Sequence, residues 1–205
     1  MVYSEFVFAK MRKIRLRLQS IWLKNRDCSI FSDNCLAGMI YHDYGMKFNS
    51  PTINCTIHAY DYNRFLQYVI NRDNLSNIEK VPTVIGEAPK GILNGDVRIE
   101  FTHYNSFEEG LSKWKERAKR INYDNMLLLM TEKSVKRELV EEFERLNYNN
   151  KVALVHLPYN QFASSYYLKG FEKAEKVGYI FGKYKWWGMT YYDQINWVKI
   201  LNRII

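Results

Sequence analysis

Cys35 is the residue of this sequence best placed to do chemistry. It lies within Ser32-Asp33-Asn34-Cys35-Leu36-Ala37-Gly38-Met39-Ile40-Tyr41-His42, which reads as the end of a buried strand, a tight polar turn and the first turns of a helix. A thiol in the first turn of a helix sits near unpaired backbone N–H groups that favour negative charge. Such a position can depress the thiol pKa and make a nucleophile. The competing role is structural, because free cysteine is among the most buried residue types and packs as a small apolar side chain.

A cysteine nucleophile needs a base, usually histidine, and often a third group that orients the ring. His103 is the first candidate, because it emerges from a strand into a polar turn. His156, with Asn160 nearby, is the second. His42 is two helical turns beyond Cys35, about 10 Å along the axis, which rules out a direct bond. Asp33 and Asn34 can orient a partner or lend backbone N–H groups to an oxyanion hole, or serve only as turn and cap. The segment 113–122 puts Trp114, Arg117 and Ile121 on one helical face. Arg117 beside Trp114 suits stacking on a sugar or nucleobase, or clamping a phosphate. A solvated basic helix gives the same pattern. Asp124 and Asn125 close that helix and are polar groups next to a strand. No phosphate-binding glycine loop and no G-x-S-x-G is present, which disfavours the common nucleotide-binding folds and serine hydrolases. The lack of an Asp-x-Asp pair argues against a metal-dependent glycosyltransferase. Cys28, Cys35 and Cys55 form no C-x-x-C pair, so no zinc cage, redox dithiol or other cofactor is expected.

The elements that must position these groups follow from periodicity. Short apolar runs at 28–31, 53–57, 97–101, 126–130 and 151–155 read as strands. Helices are expected at 36–42, at 62–70 behind an Asp61 cap, at 106–120 behind a Ser106–Glu109 capping box, and at 134–146 and 191–204. The stretch 81–90 reads as an irregular crossing and 91–95 as a turn. Strands alternating with helices predict an α/β fold, a three-layer sandwich with a mostly parallel central sheet. Ligands of such sheets bind beyond the carboxyl ends of the strands, and Cys35, His58, His103 and His156 all follow predicted strands.

The 205 residues, 47% of them hydrophobic, suffice for one sizeable domain at 27–205. Three cysteines that cannot all pair suggest a reducing, cytoplasmic location. No apolar run is long enough to span a bilayer. The net charge of +8 is uneven: residues 1–26 carry seven basic side chains against Glu5, leaving +2 for the remainder. Within 5–24, Phe6, Met11, Ile14, Leu18 and Trp22 recur on one side of a basic amphipathic helix. Such a helix can lie on an anionic membrane surface, pack on its own domain, or bind a partner or RNA. No RNA-binding signature accompanies it, and no specific nucleic acid is expected as a partner.

Several of these motifs together resemble a bacterial family. They are Ser32-Asp33-Asn34-Cys35-x-x-Gly38-Met39-Ile40-Tyr41, Gly45, Ser50-Pro51-Thr52, Phe101-Thr102-His103-Tyr104 and Lys113-Trp114-x-x-Arg117-x-x-Arg120-Ile121-Asn122-x-Asp124-Asn125. The combination, over roughly 26–190, resembles the domain-of-unknown-function family 1919, whose members are associated with exopolysaccharide or capsule biosynthesis. The order of Cys and His is also similar to papain-like cysteine peptidases, although the Cys-Gly-Ser-Cys-Trp signature is missing. By that likeness Cys35 would be the nucleophile, His103 the base, and Asp124 or Asn125 the orienting group. The resemblance implies a membrane-peripheral transferase or hydrolase of surface-polysaccharide assembly. Its substrate would be a carbohydrate, nucleotide-sugar or lipid-linked donor, met by Asp33, Asn34, Tyr41, Trp114, Arg117 and Arg120. The alternative is a non-catalytic sugar- or partner-binding protein with Trp114, Trp186 and Trp187 as contact surfaces.

Overall fold

The computed structural model describes residues 2–182 and 189–204, without the side chains of 2–6, 8 and 9. Trp186 and Trp187 lie outside the described residues. The chain is a mixed α/β protein with two four-stranded sheets. One is wholly parallel, in the order β1 (Ser29–Ser32), β6 (Met126–Thr131), β7 (Lys151–Val155), β8 (Ser165–Tyr167). Its two central strands are apolar on both faces, as a sheet covered on both sides requires. Phe31, Leu128, Met130, Ala153 and Val155 pack into one buried cluster. Ile30, Leu127, Leu129 and Leu154 pack into another.

The second sheet is antiparallel, in the order β2 (Thr56–Ile57), β5 (Val97–Glu100), β4 (Lys90–Leu93), β3 (Ile78–Val81). Sequence reading misses β3 and β4, placing a turn across 91–95. The turn proper is confined to Asn94 and Gly95, with φ of 53° and 87°, closed by Asp96 N donating to Leu93 O at 3.2 Å. Two successive positive φ values twist the chain in the sense that joins a tight hairpin. The expected strand at 53–57 shrinks to two residues because Asn54, at φ 63°, turns the chain first.

Helix α3 (Ala59–Ile70) starts at His58 rather than at Asp61, which instead takes Arg98 Nε at 2.6 Å from β5. Helix α4 (Phe107–Ala118) begins behind Ser106 as expected, Ser106 Oγ accepting from Glu109 N at 3.1 Å, but the return bond of a capping box is displaced by one residue: Glu109 Oε2 accepts from Asn105 N at 3.1 Å. A Cβ at Gly110 would come within 2.5 Å of the Phe101 ring, so a glycine is needed where α4 crosses the end of β5. Both α3 and α4 join α5 (Glu138–Arg145) around the first cluster. The second cluster takes in α2 (Leu36–Asp43), α6 (Trp197–Asn202) and Leu16 and Leu23 from the amino-terminal region.

Helix α1 (Val2–Ile21) docks by charge as much as by apolar contact. Asp193, on a 3-10 turn at Tyr191–Gln194, accepts from Arg12 Nε at 3.2 Å and also bonds Arg15. Arg12 Nη2 reaches Asp43 of α2 at 2.9 Å and its guanidinium lies over the Tyr192 ring. The apolar stripe read from the sequence does not face the domain; Leu16 is buried, while Met11, Ile14, Leu18 and Trp22 are exposed. The Asp193 side chain is almost wholly buried, and removing it takes a shared acceptor from Arg12, Arg15 and Thr190 at once, although Arg12 keeps Asp43. Asp193→Ala should therefore cost about 3 kcal/mol in urea unfolding, with early loss of amide protection in α1 under hydrogen exchange.

Candidate functional site

The turn after β1 is built almost entirely from its own side chains. Ser32 Oγ accepts from Ala37 N at 3.0 Å and donates to Asn34 O. Asn34 Oδ1 accepts from Leu36 N at 2.9 Å. Two of the free N–H groups at the start of α2 are thereby capped, leaving Cys35 at the N-cap position with no side-chain capping bond of its own. Asn34 Nδ2 donates to Asp33 Oδ1 at 3.1 Å and to Thr131 Oγ1 at 3.0 Å, and Thr131 N donates to Asp33 Oδ1 at 3.2 Å. Asp33 and Asn34 thus fasten the Cys35 turn to the carboxyl end of β6.

His103 arrives from the other sheet. The chain leaves β5 at Glu100, and His103 N donates to Asn54 O at 3.3 Å. The next residue, Tyr104, donates its hydroxyl to Ile53 O at 3.1 Å. Arg117, buried on α4, donates Nη1 to Ile53 O at 3.0 Å and to the Tyr104 hydroxyl, and its guanidinium lies 5.4 Å from the centre of the Phe48 ring. These bonds tie 48–54 and 101–104 together and bring His103 Nε2 to 3.2 Å from Cys35 Sγ. Cys35 is half-buried and His103 exposed, so the pair lies at the surface.

The electrostatics differ from the expectation of a depressed thiol pKa: burial pushes the Cys35 thiol up. Burial also pushes Cys28 up to about 12, and raises Cys55, next to Cys35 and Arg117. Burial thus favours the thiol form of Cys35, and a thiolate is to be made by proton transfer to Nε2 rather than standing preformed. Among the described residues no other side chain hydrogen-bonds His103. Asp33 is fully buried and pushed up to about 7, chiefly by desolvation, with Thr131 N and the Lys133 charge pulling the other way.

Other residues singled out from the sequence lie elsewhere. Asp124 and Asn125 precede β6, and since β1 and β6 run parallel in register they stand at the opposite end of the sheet from Cys35, about 20 Å away by strand rise. Asp124 is exposed and pairs with Arg72 at 2.7 Å; Asn125 exchanges amide bonds with Asn25 at 2.8 and 2.9 Å. Neither can orient His103. Trp114 is wholly buried, its Nε1 donating to Leu75 O at 2.6 Å, so it presents no surface to a sugar. Tyr41 is buried too, its hydroxyl accepting from Ile30 N at 2.7 Å and donating to Cys28 O at 3.0 Å. Arg117 is a buried brace rather than a substrate clamp, and Arg120 is engaged with Glu116 and Phe48 O. His42 is exposed beside Asp43, and His58 lies 3.3 Å from Arg98.

The second candidate base, His156, lies at the same sheet end, held by Glu132, which sequence reasoning does not single out. Buried Glu132, just past β6, accepts from His156 N at 2.9 Å, from His156 Nδ1 at 2.5 Å and from the Tyr159 hydroxyl at 2.8 Å. The signal was available, because Thr131-Glu132-Lys133 follows five apolar residues as Asp33 follows its strand. No group of three or more metal-ligating side chains gathers among the described residues.

Two substitutions test this geometry. Arg117→Met should lower stability by about 2 kcal/mol in urea unfolding, because it removes bonds to a buried carbonyl and hydroxyl. For Asp33 the folded pKa of about 7 lies above the unfolded value, so the folded state is favoured fully below about pH 4 and loses that advantage as pH rises to 7. Asp33→Asn abolishes this loss. Its stability relative to the parent should rise between pH 4 and pH 8 by up to about 4 kcal/mol, read from parallel urea midpoints. A flat difference would show that Asp33 ionises without cost.

The sequence model of a family described as "Domain of unknown function (DUF1919)" matches residues 6–202. An uncharacterized protein of Haemophilus influenzae is 36% identical over 184 residues, covering 88% of this chain and 86% of its own. Both matches take in Cys35, His103 and the segments that join them, since each spans nearly the whole chain. The chain belongs to the DUF1919 family.

Proposed function

We propose that Cys35 and His103 form a nucleophilic centre, and that the protein is a transferase or hydrolase of exopolysaccharide or capsule biosynthesis. The observation that carries the reading is the 3.2 Å contact between Cys35 Sγ and His103 Nε2, made by residues 68 apart in the chain. The pathway rests on the sequence resemblance alone. The apolar clusters on opposite faces of the parallel sheet support the three-layer arrangement, in which the carboxyl ends of the strands are the customary ligand edge.

In the first step His103 Nε2 takes the thiol proton as sulfur attacks the carbonyl or anomeric carbon of an activated acyl or glycosyl donor. The S–C bond forms as the bond to the leaving oxygen breaks, and the imidazolium returns its proton to that oxygen. Water or an acceptor hydroxyl then gives its proton to His103 as its oxygen bonds the same carbon and the S–C bond breaks, and the imidazolium returns that proton to Cys35 Sγ. Arg117 braces the His103 turn, and Lys133, whose charge acts on Asp33, is a half-buried cation at the same sheet end with its Nζ donating to Gly178 O at 2.9 Å. Proteolysis is no part of the proposal, since the Cys-Gly-Ser-Cys-Trp signature of papain-like peptidases is missing around Cys35.

The second reading is a binding protein without catalysis. The upward push on the Cys35 thiol and the lack of an orienting partner on His103 among the described residues favour it. Iodoacetamide labelling of the Cys35 peptide in folded protein, followed by mass spectrometry across pH, separates the two. The nucleophile reading expects labelling that climbs at a higher pH than for an ordinary thiol and drops severalfold at neutral pH in His103→Ala. Equal rates in the variant and the parent at every pH would remove the base. Labelling only after unfolding would remove the nucleophile and leave binding.

A further inference from the structure

The unexplained feature of the surface is the outer face of α1. Val7, Met11, Ile14, Leu18 and Ile21 recur at alternating steps of four and three, forming one straight stripe that continues into Trp22. All are exposed: Met11 60%, Leu18 59%, Ile21 73% and Trp22 74%. The helix is docked on its opposite side through Leu16 and Arg12, so the stripe is not turned outward for want of a contact. An apolar band this long on a soluble face marks a surface that something covers.

The charges beside the stripe decide what that is. In heptad terms Met11 and Leu18 are a positions, and Val7, Ile14 and Ile21 are d positions. Within the helix the g positions are then Lys10 and Arg17, and Arg15 is an e position. In a parallel pair of such helices Lys10 would face Arg15 of the other copy; in an antiparallel pair Arg17 would face Arg17. Arg15 is already bonded to Asp193, and no acidic residue stands at an e or g position from Lys10 to Arg17, so no complementary charge favours self-pairing in either orientation. An anionic surface, by contrast, receives the apolar stripe and the flanking cations together, with Trp22 at headgroup level.

We propose that α1 lies along an anionic phospholipid bilayer surface, with the stripe from Val7 to Trp22 immersed and Lys10, Lys13 and Arg17 on the phosphates. No described helix is long and apolar enough to cross a membrane, so the contact is in the plane of the surface. This inference stands apart from the Cys35–His103 chemistry.

The test is co-sedimentation of the full chain with vesicles of phosphatidylcholine alone and of phosphatidylcholine mixed with phosphatidylglycerol, at low and high salt. Binding is expected to the mixed vesicles, not to phosphatidylcholine alone, and to fall with salt. Lys10→Glu with Arg17→Glu should weaken it by at least about fivefold for each cation removed. Met11→Glu with Leu18→Glu should abolish it. These positions are exposed, so unchanged helicity and thermal midpoint certify the fold; if the double variant does not fold, Leu18→Gln with Trp22→Gln carries the same test. No binding to mixed vesicles at low salt overturns the proposal, as does binding that the stripe variants leave unchanged. A dimer in sedimentation velocity that Leu18→Glu dissociates also overturns it, and assigns the stripe to a second copy.

Discussion

The parallel pairing of Ser29–Ser32 with Met126–Leu129 is the contact on which the rest depends. Parallel strands cannot be joined by a tight turn, so everything between them must leave the sheet and return to it. Here that crossover is nearly half of the chain: α2, α3, the whole antiparallel sheet and α4. The crossover starts at Asp33 and Cys35, and its last third carries His103. The pair meets because the antiparallel sheet folds back over the edge where the crossover began. Thr131, two residues beyond the paired register, then takes Asp33 and Asn34 as its partners.

Buried polar groups hold that return path in place. Ile53 O accepts from both Tyr104 and Arg117, and Asn54 O from His103 N, so one irregular stretch gathers three segments. A guanidinium suits this role because its planar fork bonds two acceptors at once while its face covers an aromatic ring, in this case Phe48. The cost is a charge taken from water, offset only by hydrogen bonds and ring contact. Such an arrangement fixes the geometry of its surroundings more than it adds to stability.

Which parts were legible in the sequence follows from how local their signals are. Cys35 and His103 could be nominated because a strand, a polar turn and a capped helix are written within about ten residues. The strands β2 to β4 could not, because each has two to four residues, and Gly91 and Gly95 read as loop. Trp114 and Arg117 were correctly put on one helical face, but periodicity does not say whether that face meets water or core. Asp124 and Asn125 are strand-proximal, as expected, at the wrong end of the strand; only the direction of β6 relative to β1 reveals that. The outer stripe of α1 was visible as a pattern, whereas the identity of the docked side had to come from Arg12, Leu16 and Asp193.

The two ends of the chain clasp each other. Asn202 takes Lys24 N and gives its amide to Trp22 O, Asn25 reaches Leu201 O, and Asp193 anchors Arg12. Neither the stretch from Arg12 to Asn25 nor that from Asp193 to Asn202 can detach alone, since each supplies the other's hydrogen-bond partners. During synthesis the consequence is one of timing. The amino-terminal helix leaves the ribosome long before Tyr192, Asp193 and Asn202 exist, and until then both of its apolar sides and all of its cations are unclaimed. The nascent chain passes through a stage in which α1 is at its stickiest, and Tyr192, Asp193 and Asn202, made long after it, are the residues that end it.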